Sequence, residues 1–267
     1  MQSRPLPRTT RHPGKSSIFG RQRFFELSPD VRRECLKMKF GEFERIAFPF
    51  SRPECALVYI HGGEQKNGLL LCTEVARNTH QTVYAIHYRQ AFEYPYPTAM
   101  LDCVDAWKWM LRNGVNPNGS SFVGSSRGCD FALSSGLWCR DHGIPLPASF
   151  ILLFPGFGKE ERSMAGEPKF PSDEECAYFR NADCDDPYAH PLLGMYIGFP
   201  CIKLFAEDAT ECALLDVVLS RDGIPHSSIL DAGLWHEGEP VNELYVTEMQ
   251  KMILATSQVL ESTAWRQ

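Results

Sequence analysis

The sequence predicts an α/β fold: a mostly parallel central sheet covered by helices. Three observations predict it. Short apolar runs that suit strands buried on both faces alternate along the chain with stretches of helical periodicity. A serine flanked by small residues, Gly124-Ser125-Ser126-Arg127-Gly128, stands between one such run and the helical stretch after it. One region, residues 155–198, breaks the rhythm and reads as an insertion.

The elements follow in order. Ser28-Pro29-Asp30 is a helix start, with Ser28 as N-cap and Pro29 in the first turn, so a helix is expected to about Phe40 with Gly41 ending it. Residues 42–50 alternate apolar and polar and predict a strand. Cys55 to Ile60 is a continuous apolar run, a strand covered on both faces, ending in His61-Gly62-Gly63. A helix is expected over 68–79 and a short buried strand from Thr82 to His87. Met100, Leu101, Val104, Trp107, Trp109 and Leu111 predict a helix over 98–113 that stops at Gly114. A strand from Ser120 to Val123 and a helix from Cys129 to Arg140 flank the serine motif. Ser149 to Phe154 and Cys201 to Ala206 are further apolar strands. Beyond them a helix is expected over 210–221, an extended stretch over 227–231 and a closing helix from about Val241 to Leu260. Residues 155–198, rich in Pro, Gly and Asp, suit a lid or pocket insertion in which Phe154, Phe157, Phe179 and Tyr196 are either pocket lining or core.

Composition narrows the function classes. At 267 residues the chain suits one large domain, 26–267, preceded by a basic arm, residues 1–25, that carries Arg4, Arg8, Arg11, Lys15, Arg21 and Arg23 and no acid. The net charge of -6 argues against a nucleic-acid binder. No apolar run is long enough to span a bilayer, and the N-terminus lacks the apolar core of a secretory signal, so a cytoplasmic protein is expected. The ten cysteines are scattered without CxxC or zinc spacing. Mostly free thiols in a reducing cytosol are expected, with a Cys176–Cys184 bridge left open.

The chemistry centres on Ser126. A serine hydroxyl needs an adjacent base to become a nucleophile. A sharp strand-to-helix turn would present it at the top of the sheet, above a helix N-terminus that favours negative charge on an attacked carbonyl. In this kind of fold the base and its acid follow the serine in the chain. His142, His190, His226 and His236 therefore qualify, and His236, after the last expected strand, is the expected base, with Trp235 beside the acyl site. Glu207, Asp208 and Glu211 follow the strand that ends at Ala206. Asp208 is preferred as the acid that orients the imidazole, and Glu207 is second.

The ordered set resembles the hormone-sensitive-lipase-like family of α/β-hydrolases. His61-Gly62-Gly63 is similar to that family's HGGG, Tyr88-Arg89-Gln90-Ala91-Phe92-Glu93-Tyr94-Pro95-Tyr96-Pro97-Thr98-Ala99 to its YRLAPEHPFPAA stretch, and Asp186-Pro187-Tyr188-Ala189-His190-Pro191-Leu192 to its DPxxSPL segment. The resemblance spans roughly residues 55–240. It implies an α/β-hydrolase fold with a small lid, a triad of Ser126, Asp208 and His236, and an oxyanion hole of backbone N–H groups from Gly62, Gly63, Glu64 and Arg127. It implies a small to medium ester or acyl compound as substrate, with Phe157 and Trp235 near it, and no metal or organic cofactor.

This chain departs from the family pattern at Glu64, Ser125 and Arg127. Two readings are open for the charged pair: Glu64 and Arg127 bond each other beside the hole, or Arg127 faces away and supports the helix. The altered charges also keep open a lactonase, a thioesterase, an amide hydrolase or an acyl-transferring cyclase, and a non-catalytic ligand-binding homologue. A homo-oligomer is compatible with each.

Overall fold

A computed structural model of the chain describes residues 32–38, 41–47, 51–62, 72–73, 75–77, 80–153, 155 and 177–205. The expectations for residues 1–31, for residues 156–176 of the insertion and for everything after 205 lie outside the described residues. So do the predicted helix over 210–221 and the closing helix.

Seven strands form one sheet in the order β1-β2-β4-β3-β5-β6-β7. They are β1 (Arg32–Met38), β2 (Gly41–Ala47), β3 (Arg52–Ile60), β4 (Gln81–His87), β5 (Ser121–Ser125), β6 (Ser149–Leu153) and β7 (Cys201–Phe205). β1, β2 and β4 pair antiparallel, and every pairing from β4 through β3, β5 and β6 to β7 is parallel. The mostly parallel sheet expected from the apolar runs is therefore present.

The first element corrects the sequence reading. Residues 32–38 are not helical but form an edge strand, paired with β2 from Arg32↔Ala47 to Met38↔Gly41. The helix-start signal at Ser28 is local, whereas the ladder supplies partners from the neighbouring strand, and tertiary pairing overrides propensity. Glu34, Cys35 and Lys37 are exposed, and charged side chains on an edge strand discourage pairing with a second chain.

The inner strands bury consecutive residues. All five residues of β6 are buried, as are Thr82 to Ile86 of β4. Because successive strand side chains point to opposite faces, both faces of the sheet are covered here. The two long helices are α1 (Thr98–Arg112) and α2 (Arg127–Asp141). α1 buries Met100, Cys103, Val104, Trp107 and Met110, the spacing of one helical face. α2 lies against β3, β5 and β6, and the Ser135 hydroxyl ties it to α1 by donating to the Met100 carbonyl at 3.3 Å. Residues 72–73 and 75–77 are helical, in keeping with the helix expected there.

An aromatic column runs through the core. Trp107, Phe122, Phe150, Phe199 and Tyr196 contact in sequence, at centroid distances of 5.1, 5.4, 5.1 and 4.8 Å. Tyr196, a pocket-or-core candidate, is core. Among the described residues no helix is long and apolar enough to cross a membrane. Cys184 carries a free, exposed thiol, and Cys176, its candidate partner, lies outside the described residues.

Candidate active site

Strand order marks where a ligand would sit. β3 lies between β4 and β5, so the chain leaves β3 toward one side of the sheet for β4 and returns to the other side for β5. Open α/β sheets bind ligands outside the carboxyl ends of their strands at such a reversal. His61 and Gly62 follow the end of β3, and Ser126 follows the end of β5.

Ser126 occupies a tight turn between β5 and α2, with φ 52° and ψ -124°. Left-handed φ is uncommon for any residue but glycine, and the surroundings hold it there. The Ser126 N–H donates to the Leu153 carbonyl at 2.9 Å, and the Ser126 carbonyl accepts from the Cys129 N–H at 2.9 Å. The flanking glycines are needed for room. A β-carbon at Gly128 would land on the Ile60 carbonyl, and one at Gly124 would come within 2.6 Å of the Cys129 Cα. The helix thus starts hard against the end of β3, and the small residues at 124 and 128 permit the sharp strand-to-helix turn.

Gly62 faces this turn. A β-carbon there would lie 2.8 Å from the Ser126 Cβ, 2.8 Å from the Ser125 carbonyl oxygen and 3.4 Å from the Arg127 nitrogen. The structure therefore brings together Gly62, Ser126 and the first backbone nitrogen of α2, the described members of the proposed set. Gly63, Glu64, Phe154, Phe157, Glu207, Asp208, Glu211, His226, Trp235 and His236 lie outside the described residues.

The loop that carries Gly62 is held from behind. The His61 Nδ1–H donates to the Gly62 carbonyl at 2.6 Å, and the Tyr88 hydroxyl donates to the His61 carbonyl at 2.8 Å. Burial pushes the His61 imidazole down from its ordinary value of 6.5 to about 4; the Gly62 carbonyl opposes the shift and His87 adds to it. His61 is therefore a neutral imidazole near neutral pH.

Arg127 is engaged within its own helix. Its Nη1 lies 2.6 Å from the Asp130 carboxylate, and its guanidinium sits 5.3 Å from the Phe179 ring centroid; the His190 ring stacks on Phe179 at 4.8 Å between centroids. The reading in which Arg127 supports the helix has this support; the Glu64 alternative lies outside the described residues. Asp130 and Phe179 were not singled out as partners of Arg127 in the sequence, although Asp130 stands three residues on, a spacing that places side chains on one helix face.

His142 is positioned away from the site. It is the C-cap of the 15-residue helix whose N-cap is Ser126, so roughly 22 Å of helix separates the two, and its ring stacks on Trp138. Two further polar contacts are not visible in the sequence. Asp102 takes both the backbone N–H and the guanidinium of Arg89, at 2.9 and 2.7 Å, and Glu44 meets His87 at 3.3 Å. The first anchors the segment after β4. Its companion anchor is the Tyr96 hydroxyl, which donates to Asp186 at 2.6 Å and so links the two remaining resemblance segments.

Known proteins agree with this architecture. An esterase/lipase from an uncultured bacterium is similar in structure (TM-score 0.75, 23% identity, 90% of this chain and 87% of that one). An esterase from the bacterial hormone-sensitive lipase family is similar likewise (TM-score 0.71, 21% identity, 90% and 86%). At these identities the likeness establishes the fold. An acetyl-hydrolase of Streptomyces hygroscopicus is 33% identical over 104 residues, 37% of this chain and 35% of that one, so the match spans about a third of that relative's length. The family described as alpha/beta hydrolase fold matches residues 57–216, more than half of the sequence, and the chain belongs to that family.

Proposed function

We propose that the protein is a carboxylesterase-like serine hydrolase that cleaves an ester of small to medium size through an acyl-enzyme on Ser126. The observation that carries this reading is the apposition of Gly62 and Ser126 at the strand-order reversal, with Ser126 at φ 52° on the first turn of α2. The hydrolase names of the relatives support the same class of reaction, and the acetyl-hydrolase supports a short acyl group.

In this reading His236 takes the Ser126 proton as the oxygen attacks the ester carbonyl, and Asp208 holds the imidazole and stabilises its cationic form. Backbone N–H groups of Gly62, Gly63, Glu64 and Arg127 bind the oxyanion. Collapse of the tetrahedral species breaks the ester C–O bond, and His236 gives its proton to the departing alcohol. Water, deprotonated by the same imidazole, then attacks the acyl-enzyme, releasing the acid and regenerating Ser126. Phe157 and Trp235 border the acyl group. The free thiols of the described cysteines, several of them buried, support a reducing, cytoplasmic setting.

The test is labelling with a fluorophosphonate, located by mass spectrometry, together with turnover of esters, lactones and thioesters. Wild type is expected to be labelled at Ser126 and to favour short-chain esters, and Ser126→Ala to lose both properties. A folded wild-type protein that is neither labelled nor active on any of the panel would overturn the reading.

A further inference from the structure

We infer that Tyr88 is a positioning residue for the oxyanion loop: its hydroxyl fixes the direction of the Gly62 amide by holding the His61 carbonyl. The inference rests on the proposed hydrolase reading and adds to it a residue outside the triad and the oxyanion donors.

The geometry is specific. The Tyr88 oxygen lies 2.8 Å from the His61 carbonyl oxygen, 3.3 Å from His61 Nδ1 and 3.4 Å from the Gly62 carbonyl oxygen. A hydroxyl has one proton to give, and the shortest contact takes it. His61 Nδ1–H then serves the Gly62 carbonyl at 2.6 Å, with the Tyr88 oxygen as a longer second acceptor. A trans peptide is planar, and its C=O and N–H point in opposite directions. Holding the His61 carbonyl on Tyr88 therefore aims the Gly62 N–H away from Tyr88. Holding the Gly62 carbonyl on His61 sets the plane in which the chain leaves Gly62.

The ring is seated independently of its hydroxyl. It stacks on His61 at 4.4 Å and meets Phe131 edge-on at 4.9 Å. Phe131 belongs to α2, the helix that starts at Ser126, so the ring is wedged between the loop and the helix that the reaction must hold in register. A phenylalanine would keep both ring contacts and lose only the aim. Because such donors work only when preorganised on the developing oxyanion, misdirection acts on the chemical step more than on substrate binding.

The experiment compares wild type with Tyr88→Phe on p-nitrophenyl acetate, with binding of a trifluoromethyl ketone that forms a tetrahedral adduct on a serine oxygen. Tyr88→Phe is expected to lower kcat about 10- to 100-fold with KM within about twofold, and to weaken the ketone by a similar factor. Placing 4-aminophenylalanine at position 88 restores a weaker donor and is expected to recover part of the rate. If Tyr88→Phe melts below the assay temperature, both variants are assayed below its melting point: wild-type kcat and ketone affinity in folded Tyr88→Phe, or no recovery of its lost rate in the amino variant, would overturn the inference while leaving the Ser126 reading intact. A wild type that neither hydrolyses the ester nor takes a phosphonate label at Ser126 would overturn both.

Discussion

Gly62 stands so close to Ser126 that a side chain at position 62 would meet the serine β-carbon at 2.8 Å and the Ser125 carbonyl at the same distance. Two of those neighbours are backbone or nearly so, and neither can swing aside as the end of a flexible side chain could. Gly62→Ala must therefore displace the loop or the turn. A displacement of about 1 Å at a reacting group costs on the order of 100-fold in rate. We expect kcat/KM for a short-chain ester to fall by at least that factor, while the melting temperature moves far less than in Gly128→Ala, whose added carbon meets the Ile60 carbonyl inside the sheet. Steady-state kinetics and calorimetry on the two variants check this. Equal activity in Gly62→Ala would mean that the loop does not work against the serine.

The same pair shows what was legible in the chain. Two glycines around a serine after an apolar run are local signals, and so are the apolar runs of β3 to β7, which need no knowledge of a partner to be read as covered strands. The strand at 32–38 is different. Its residues carry charges suited to an edge, and nothing within them names β2 as the partner, whereas Ser28-Pro29-Asp30 is a strong local helix start. The Arg89–Asp102 pair was hidden for a related reason: one residue follows a strand, the other lies on α1, and only the packed fold brings them together. Arg127–Asp130 could have been found, because an i, i+3 spacing on a helix is visible in one dimension.

Arg127 and Asp130 supply the next prediction. The carboxylate is the more buried partner, with 8% of its side chain exposed against 24% for the arginine. Removing the cation from a carboxylate shielded from water costs more than removing the anion from a partly solvated guanidinium that also lies over Phe179. Arg127→Ala is thus expected to destabilise by about 2 kcal/mol and Asp130→Ala by less, with a coupling of about 1 kcal/mol in the double-mutant cycle. Urea unfolding of the three variants measures it. Glu64→Gly combined with Arg127→Ala is expected to be additive in the same assay. A coupling of Glu64 larger than that of Asp130 would instead support the pairing across the oxyanion loop.

His61 gives stability a pH dependence with a defined sign. Burial holds the folded imidazole at about 4, below the ordinary value of 6.5 that applies to the unfolded chain. Above 6.5 both states are neutral at this position and folding suffers no penalty. Between 6.5 and 4 the unfolded chain takes up a proton that the native state refuses, so stability falls with pH and the loss is complete once the folded group also titrates. The shift corresponds to a loss of about 3 kcal/mol. Asparagine at position 61 offers an N–H to the Gly62 carbonyl and cannot titrate, but it loses the ring stacked on Tyr88, so His61→Asn starts less stable at pH 7 and lacks the acid-dependent loss. Urea midpoints for both proteins between pH 7 and pH 4 should converge as the pH falls, with the variant less sensitive to acid. A separation between the two curves that stays constant across that range would mean the imidazole is not held neutral by the fold, and that the loop behind Gly62 is open to water.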